Sequence, residues 1–143
     1  MSIPESLLEI REYSGAGYQP LIDYEAWRVA VLRFINELLP QNLAKMQRHN
    51  ETDEVFVLLS GRCILFIGAG EKHVTTIHAQ DMEPLKLYNV RRRCWHTHTL
   101  SADATILIVE NRDTSSDNST EISLDDARRG KLVELTDHLW KKA

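Results

Sequence analysis

Glu54-Val-Phe-Val-Leu-Leu59 and Cys63-Ile-Leu-Phe-Ile67 flank Ser60-Gly61-Arg62, and Gly68-Ala-Gly70 closes the second run. Two short apolar runs, rich in β-branched and aromatic residues and hinged on Ser-Gly, predict a β-hairpin. Strand signals continue outward on both sides. Upstream, Trp27 to Ile35 reads as a strand, Asn36 to Asn42 with Pro40 breaks it, and Leu43 to Arg48 opens another extended segment. Downstream, Val74–His78, Leu85–Val90, Cys94–Leu100 and Ala104–Glu110 complete the series. Strands recurring every 8–12 residues or so between turn signals, with no helical period among them, predict an all-β sandwich or barrel.

The flanks read differently. Residues 1–26 mix apolar pairs with turn residues (Ser14-Gly-Ala-Gly17, Pro20) and predict an irregular N-terminal arm. Asn111 to Glu121 is polar and low in complexity, which predicts a linker over 112–121. In the closing segment 122–143, Leu124, Ala127, Leu132, Leu135 and Leu139 recur at near-helical spacing. They predict an amphipathic helix over 124–140, with Ser123 as N-cap, Asp125 and Asp126 in the first turn and Gly130 as a weak point. The barrel proper is then expected over 27–111, in a single domain, since 143 residues suit one core.

Bulk composition narrows the function classes. The chain is 43% hydrophobic and 27% charged, with a formal net charge of -4. Nucleic-acid binding through the phosphate backbone needs a basic face, and Arg91-Arg92-Arg93 is too short a run to make one. No stretch approaches the roughly 18 uncharged apolar residues of a membrane helix. The first residues lack a basic n-region followed by an apolar h-region, and the two cysteines, Cys63 and Cys94, suggest no disulfide framework. A cytoplasmic protein without nucleic-acid or membrane partners is expected.

Candidate chemistry concentrates in Gln47-Arg-His49-Asn-Glu-Thr-Asp-Glu54, just ahead of the first hairpin strand. A second pair, His96 and His98, follows roughly forty residues later on another predicted strand. Neutral imidazoles with one carboxylate suit divalent Zn, Mn, Fe or Ni better than a soft-metal site. Gln47 and His49 are two apart and share a strand face, whereas Glu54 lies at an odd offset. Asn50 to Asp53 must therefore bend if the side chains are to converge. Taken alone, His49 reads as a solvent-exposed loop residue and Glu54 as a strand-start acid. His73 and His78 have no partner pattern. Trp95, Tyr88 and Phe56 read as core, and Cys94 as inert packing. The arginine run reads as a solvated turn, or as a guanidinium for an anionic group.

Here the sequence resembles the cupin superfamily. Its first motif, G-x5-H-x-H-x3,4-E-x6-G, is matched from the second histidine onward by His49-x4-Glu54-x6-Gly61. The second, G-x5-P-x-G-x2-H-x3-N, is matched at its histidine by His96. The resemblance implies a small jelly-roll barrel with one divalent metal on His49, Glu54 and His96. Gln47 stands where the family has its first metal histidine and is a candidate fourth ligand. Arg91 and Arg93 replace the family's Pro and Gly, and Leu100 its Asn.

Cupin architecture supports isomerases, dioxygenases, lyases and decarboxylases, so fold does not select the reaction. The expectation is a metal-dependent enzyme acting on a small oxygen-rich molecule, a sugar derivative or a hydroxy or keto acid. His98 is the candidate acid/base, since an unperturbed imidazole titrates near neutrality. The alternatives are a non-catalytic small-molecule-binding module and a scaffold with a structural metal. A homodimer is expected, through sheet-on-sheet contact or exchange of the arm.

Overall fold

The computed structural model describes residues 2–141; Met1 of the expected arm and residues 142–143 of the expected C-terminal segment lie outside the described residues. The strands are β1 (Gly17–Tyr24), β2 (Trp27–Arg33), β3 (Lys45–His49), β4 (Glu54–Ser60), β5 (Cys63–Ala69), β6 (Thr76–Asp81), β7 (Leu87–Val90), β8 (Trp95–Leu100), β9 (Thr105–Asn111) and β10 (Ser119–Ser123). One helix, α1 (Asp126–Trp140), follows. The strands form two antiparallel five-stranded sheets, ordered β1-β2-β9-β4-β7 and β10-β3-β8-β5-β6. Without β1 and β10, the orders β2-β9-β4-β7 and β3-β8-β5-β6 interleave early and late strands as two Greek keys do, which is the jelly roll.

Alternation along each strand sorts side chains between interior and exterior. Phe56 and Leu58 on β4, Leu65 on β5, and Ile106 and Ile108 on β9 fill the barrel interior with Ala30, Leu32 and Leu100. The opposite parity of the β10-β3-β8-β5-β6 sheet builds a second core outside the barrel, where Met46, Ile64, Phe66 and Trp95 meet Leu124 and Leu132 of the C-terminal segment. The helix thus covers the outer face of one sheet. Arginines fasten it: Arg129 Nε donates to Leu43 O (2.8 Å), Arg128 Nη2 to Val74 O (2.7 Å) and Arg62 Nη1 to Trp140 O (3.2 Å).

Three expectations are corrected. Gly17–Tyr24, within the expected irregular arm, is a strand paired with β2, and Tyr24 and Trp27 close its two-residue turn. Pro20 is tolerated because β1 is an edge strand and its register shifts between Pro20 and Ile22. The polar stretch 111–121 is not a plain linker: Ser115 caps a short 3-10 turn, and β10 pairs with β3. Its polarity hid the strand, whose inward positions Ser119 and Glu121 border a cavity. Finally, the helix begins at Asp126 and its N-cap is Asp125, whose carboxylate accepts from Arg128 N at 2.8 Å, because Ser123 is spent as the last residue of β10.

Gly61 makes the β4–β5 hairpin possible. Its φ is +73, and a Cβ there would sit 2.5 Å from Ala104 Cα and 2.6 Å from Ala104 N. Gly61→Ala would combine left-handed strain of about 1–2 kcal/mol with backbone overpacking of about 1–3 kcal/mol. A large fall in melting temperature is expected; a variant melting within a degree or two of the parent would refute this account of the turn.

Candidate metal centre

The expected bend at Asn50 to Asp53 is present and is held from three sides. Asn50 N donates to Asn118 O (2.9 Å), while the Asp53 carboxylate accepts from Asn89 Nδ2 (3.0 Å) and Arg92 N (2.7 Å). These two donors hold the Asp53 carboxyl below its ordinary pKa. Arg93 N donates to His49 O (2.7 Å), so the turn ahead of β8 is locked to the end of β3. Arg93 has φ +68, the left-handed conformation at a position where the resemblance expects glycine. All three arginines of the run are exposed, which favours the solvated-turn reading.

The bend turns Glu54 toward the same interior space as His49 and His96. Glu54 Oε1 lies 3.0 Å from His49 Nε2 and 3.0 Å from His96 Nε2. The three residues are 5%, 7% and 1% exposed, respectively. Each imidazole is fixed at its other nitrogen, His49 Nδ1 by Ser119 Oγ (2.7 Å) and His96 Nδ1 by the carbonyl of Cys94 (3.0 Å). A carbonyl only accepts, so His96 Nδ1 carries a proton. In the neutral ring Nε2 then presents its lone pair to a carboxylate oxygen. Such a contact requires a proton or a cation between the two atoms. The potential ligand atoms lie within 4.8 Å of one another, so small side-chain adjustments would bring them to the roughly 3.4–4.2 Å that separates donors bonded at about 2.1 Å to one ion. The donor set therefore fits a divalent metal, and partners at both Nδ1 atoms are what metal-binding imidazoles use for orientation.

Electrostatics couple the three groups. Burial opposes the charged form of His49, but the hydrogen bond and charge of Glu54, with the charge of Glu110, outweigh it and raise its pKa. Burial likewise opposes the Glu54 carboxylate, yet both imidazoles hold it well below the usual carboxylate range.

The group opens onto a cavity of about 400 Å³, lined by Tyr18, Gln47, Glu54, His98 and Glu110 among others. Gln47 sits directly across from His96 in the β3–β8 register, on the inner face, and is half-buried. His98 lies on the same inner face two residues beyond His96, and its buried Nδ1 has no hydrogen-bond partner. Burial pushes its pKa down to about 4, with Glu54 opposing and His96 adding to the shift. The shift favours the uncharged imidazole. His73 and His78 are exposed and take no part.

Sequence reasoning missed Glu110 and Tyr18. Glu110 stands beside Glu54 on the barrel wall and accepts from Tyr18 Oη at 2.5 Å. Burial and the Glu54 charge push its carboxyl up to about 7. The signal was present in Thr105-Ile-Leu-Ile-Val-Glu110, where the inward alternation Ile106, Ile108 ends on an acid. Tyr18 offered none, because its strand was read as irregular.

No family model matches the sequence, and no curated protein matches it. Solved structures do match. One is Pac13 of Streptomyces, described as a nucleoside dehydratase, at TM-score 0.55 and 7% identity over 78% of this chain and 83% of Pac13. The chain has the cupin fold. Another match is the capsular polysaccharide assembling protein CapF of Staphylococcus aureus, at TM-score 0.52 and 13% identity over 76% of this chain and 32% of CapF. These likenesses concern the fold. A variant of Pac13 has also been solved with uridine. Among the described residues no helix is long and apolar enough to cross a membrane.

Proposed function

We propose that the chain is a metal-dependent cupin enzyme that holds one divalent ion, Zn, Mn, Fe or Ni, on His49, Glu54 and His96 and acts on a small oxygen-rich molecule in the adjoining cavity. The observation that carries this reading is the pair of 3.0 Å contacts from Glu54 Oε1 to two imidazoles whose opposite nitrogens are already engaged. Bound there, a divalent ion would supply Lewis acidity toward a carbonyl or alkoxide. The protein's own groups supply recognition. His98 Nδ1 is a free hydrogen-bonding position in the wall, suited to a ligand hydroxyl or carbonyl. An uncharged imidazole there can also accept a proton, so the acid/base role suggested by its sequence position is part of the reading. Tyr18 and Glu110 offer a second polar position beside the metal group. A cavity of about 400 Å³ suits a sugar derivative or a hydroxy or keto acid.

Gln47 is half-buried beside His96 and has room to contribute its amide oxygen. Gln47→Ala should lower metal content, but less than loss of a histidine does. Unchanged metal affinity in Gln47→Ala removes it from the ligand set. Turnover of the metal-loaded protein on a panel of sugar derivatives, hydroxy acids and keto acids tests the enzymatic reading; saturable binding without turnover would establish a binding module instead. The reading also takes the chain as a cytoplasmic homodimer, with Cys63 and Cys94 as free thiols.

A further inference from the structure

The sheet that carries the metal histidines is not closed throughout. β8 pairs with β5 at six positions, from Cys63–Leu100 to Gly68–Trp95. With β3 it pairs at a single position among the described residues, Gln47–His96. Past that pair the two strands part, and a second cavity of about 350 Å³ lies in the parting. Its lining includes Gln47 and His98, whose strand parity points inward. It also includes Leu43 of the outer core and Thr97, whose parity is opposite to that of His98. A space that meets residues of both faces passes through the sheet. The parting is therefore an opening in the barrel wall.

The rim of this opening is tied down. Between β2 and β3 the chain makes two 3-10 turns, Asn36–Leu38 and Pro40–Asn42, which contribute Glu37, Leu38 and Asn42 to the lining. Thr99 Oγ1 of β8 donates to Leu38 O (2.6 Å) and Asn42 Nδ2 to Asn36 O (2.9 Å), while Arg129 of α1 holds Leu43 O. Apolar surface comes from Leu38, Leu43 and Ala44, and the exposed Glu37 and Asn42 place hydrogen-bonding groups at the edge.

Lys45, Gln47 and His98 line this opening and the metal cavity alike, so the two spaces adjoin across three side chains. One of the three is unsatisfied: the buried Nδ1 of His98 has no hydrogen-bond partner. An unpaired buried nitrogen is destabilising, and a ligand group lying along it would relieve that. Sizes point the same way. Small-molecule sites run to about 300–1,000 Å³. At about 400 and about 350 Å³ each cavity alone lies near the small end, and joined they reach the middle of that range. We propose that the two cavities form one site for a two-part molecule, with an oxygen-rich head at the metal group and a less polar ring or chain in the wall opening past His98. The inference rests on the reading of the metal cavity as a ligand site and specifies the kind of ligand.

Matched probes with and without a tail test it, titrated by calorimetry into the full chain loaded with Zn. They are methyl and phenyl glycosides of a panel of monosaccharides, with lactate and phenyllactate. A head that binds should bind at least about tenfold tighter with its phenyl tail, the affinity that burial of one ring supplies. Ala44→Cys then locates the tail. It sets a thiol at the exposed rim, so the protein folds with the opening free, and benzyl methanethiosulfonate fills the opening afterwards. The parent treated identically controls for Cys63 and Cys94. The filled variant should lose the advantage of the tail while its affinity for the tailless probe and its metal-to-protein ratio stay unchanged. A tail without effect in the parent, or an advantage that survives filling, overturns the inference and leaves the ligand-site reading standing. Absence of saturable binding by every probe, in protein that holds its metal, overturns both.

Discussion

His96→Ala should leave a folded protein that no longer retains a divalent metal through dialysis, with the metal-to-protein ratio falling from near stoichiometric to near zero. Loss of an outer hydrogen-bonding partner of a metal ligand typically weakens affinity about 10–100-fold, and loss of the ligand itself should exceed that. His96 is also 1% exposed and contacts Glu54, so the variant should melt lower; its circular dichroism must be recorded alongside its metal content. Full occupancy in folded His96→Ala would sink the site assignment. Glu54→Gln separates the two ways of satisfying the 3.0 Å contacts. A neutral amide can still hydrogen-bond both imidazoles, but it removes the anionic donor. If an ion is held there, Glu54→Gln should lose it while remaining folded. If the contacts are proton-mediated only, neither parent nor variant should take up metal. Ser119→Ala, which frees His49 Nδ1, should weaken binding by about 10–100-fold without abolishing it.

The barrel was legible because its strands are marked twice, by β-branched and aromatic runs and by turn residues between them. Glu54-Val-Phe-Val-Leu-Leu59 and its hairpin partner became β4 and β5 almost residue for residue. The two missed strands share a physical reason. β1 contains Pro20 and runs along an edge, and β10 has a polar inward side that faces the cavity, so neither shows the apolar signature of a core strand. Two of the cavity residues follow from those strands, Tyr18 on β1 and Ser119 on β10, whereas Glu110 lies on β9, a strand that was read. The grouping of His49, Glu54 and His96 was legible through the motif resemblance, which required a bend at Asn50 to Asp53 for His49 and Glu54 to converge. What produces the bend was not, because Asp53 is anchored by Asn89 and Arg92, far along the chain. The His98 environment was equally hidden. Its parity with His96 follows from spacing, but a pKa near 4 comes from burial, which single-strand spacing does not reveal.

The second large effect lies on the far side of the sheet from the metal group. Leu132 is fully buried between α1 and the outer faces of β3, β5 and β8, in one cluster with Met46, Ile64, Phe66 and Trp95. Leu132→Ala should destabilise the protein by about 2–5 kcal/mol, through lost burial and the cavity left behind. Against a net stability of about 5–15 kcal/mol for an ordinary domain, this is a major loss from one side chain. Deleting residues 122–143 removes β10's Ile122 and the whole cover of that outer core, and should prevent stable folding. Burying one side chain such as Phe66 or Ile64 is worth about 1.5–3 kcal/mol, and several would be exposed together. The point substitution is the cleaner test because the inner face of the same strands is untouched. β3 and β8 present Met46 and Trp95 outward but His49 and His96 inward. Leu132→Ala should therefore shift the urea midpoint strongly while the folded fraction binds metal with unchanged stoichiometry. A stability loss under about 1 kcal/mol would show that the helix merely rests on the barrel, and loss of metal from folded Leu132→Ala would show that the two faces of the sheet are coupled after all.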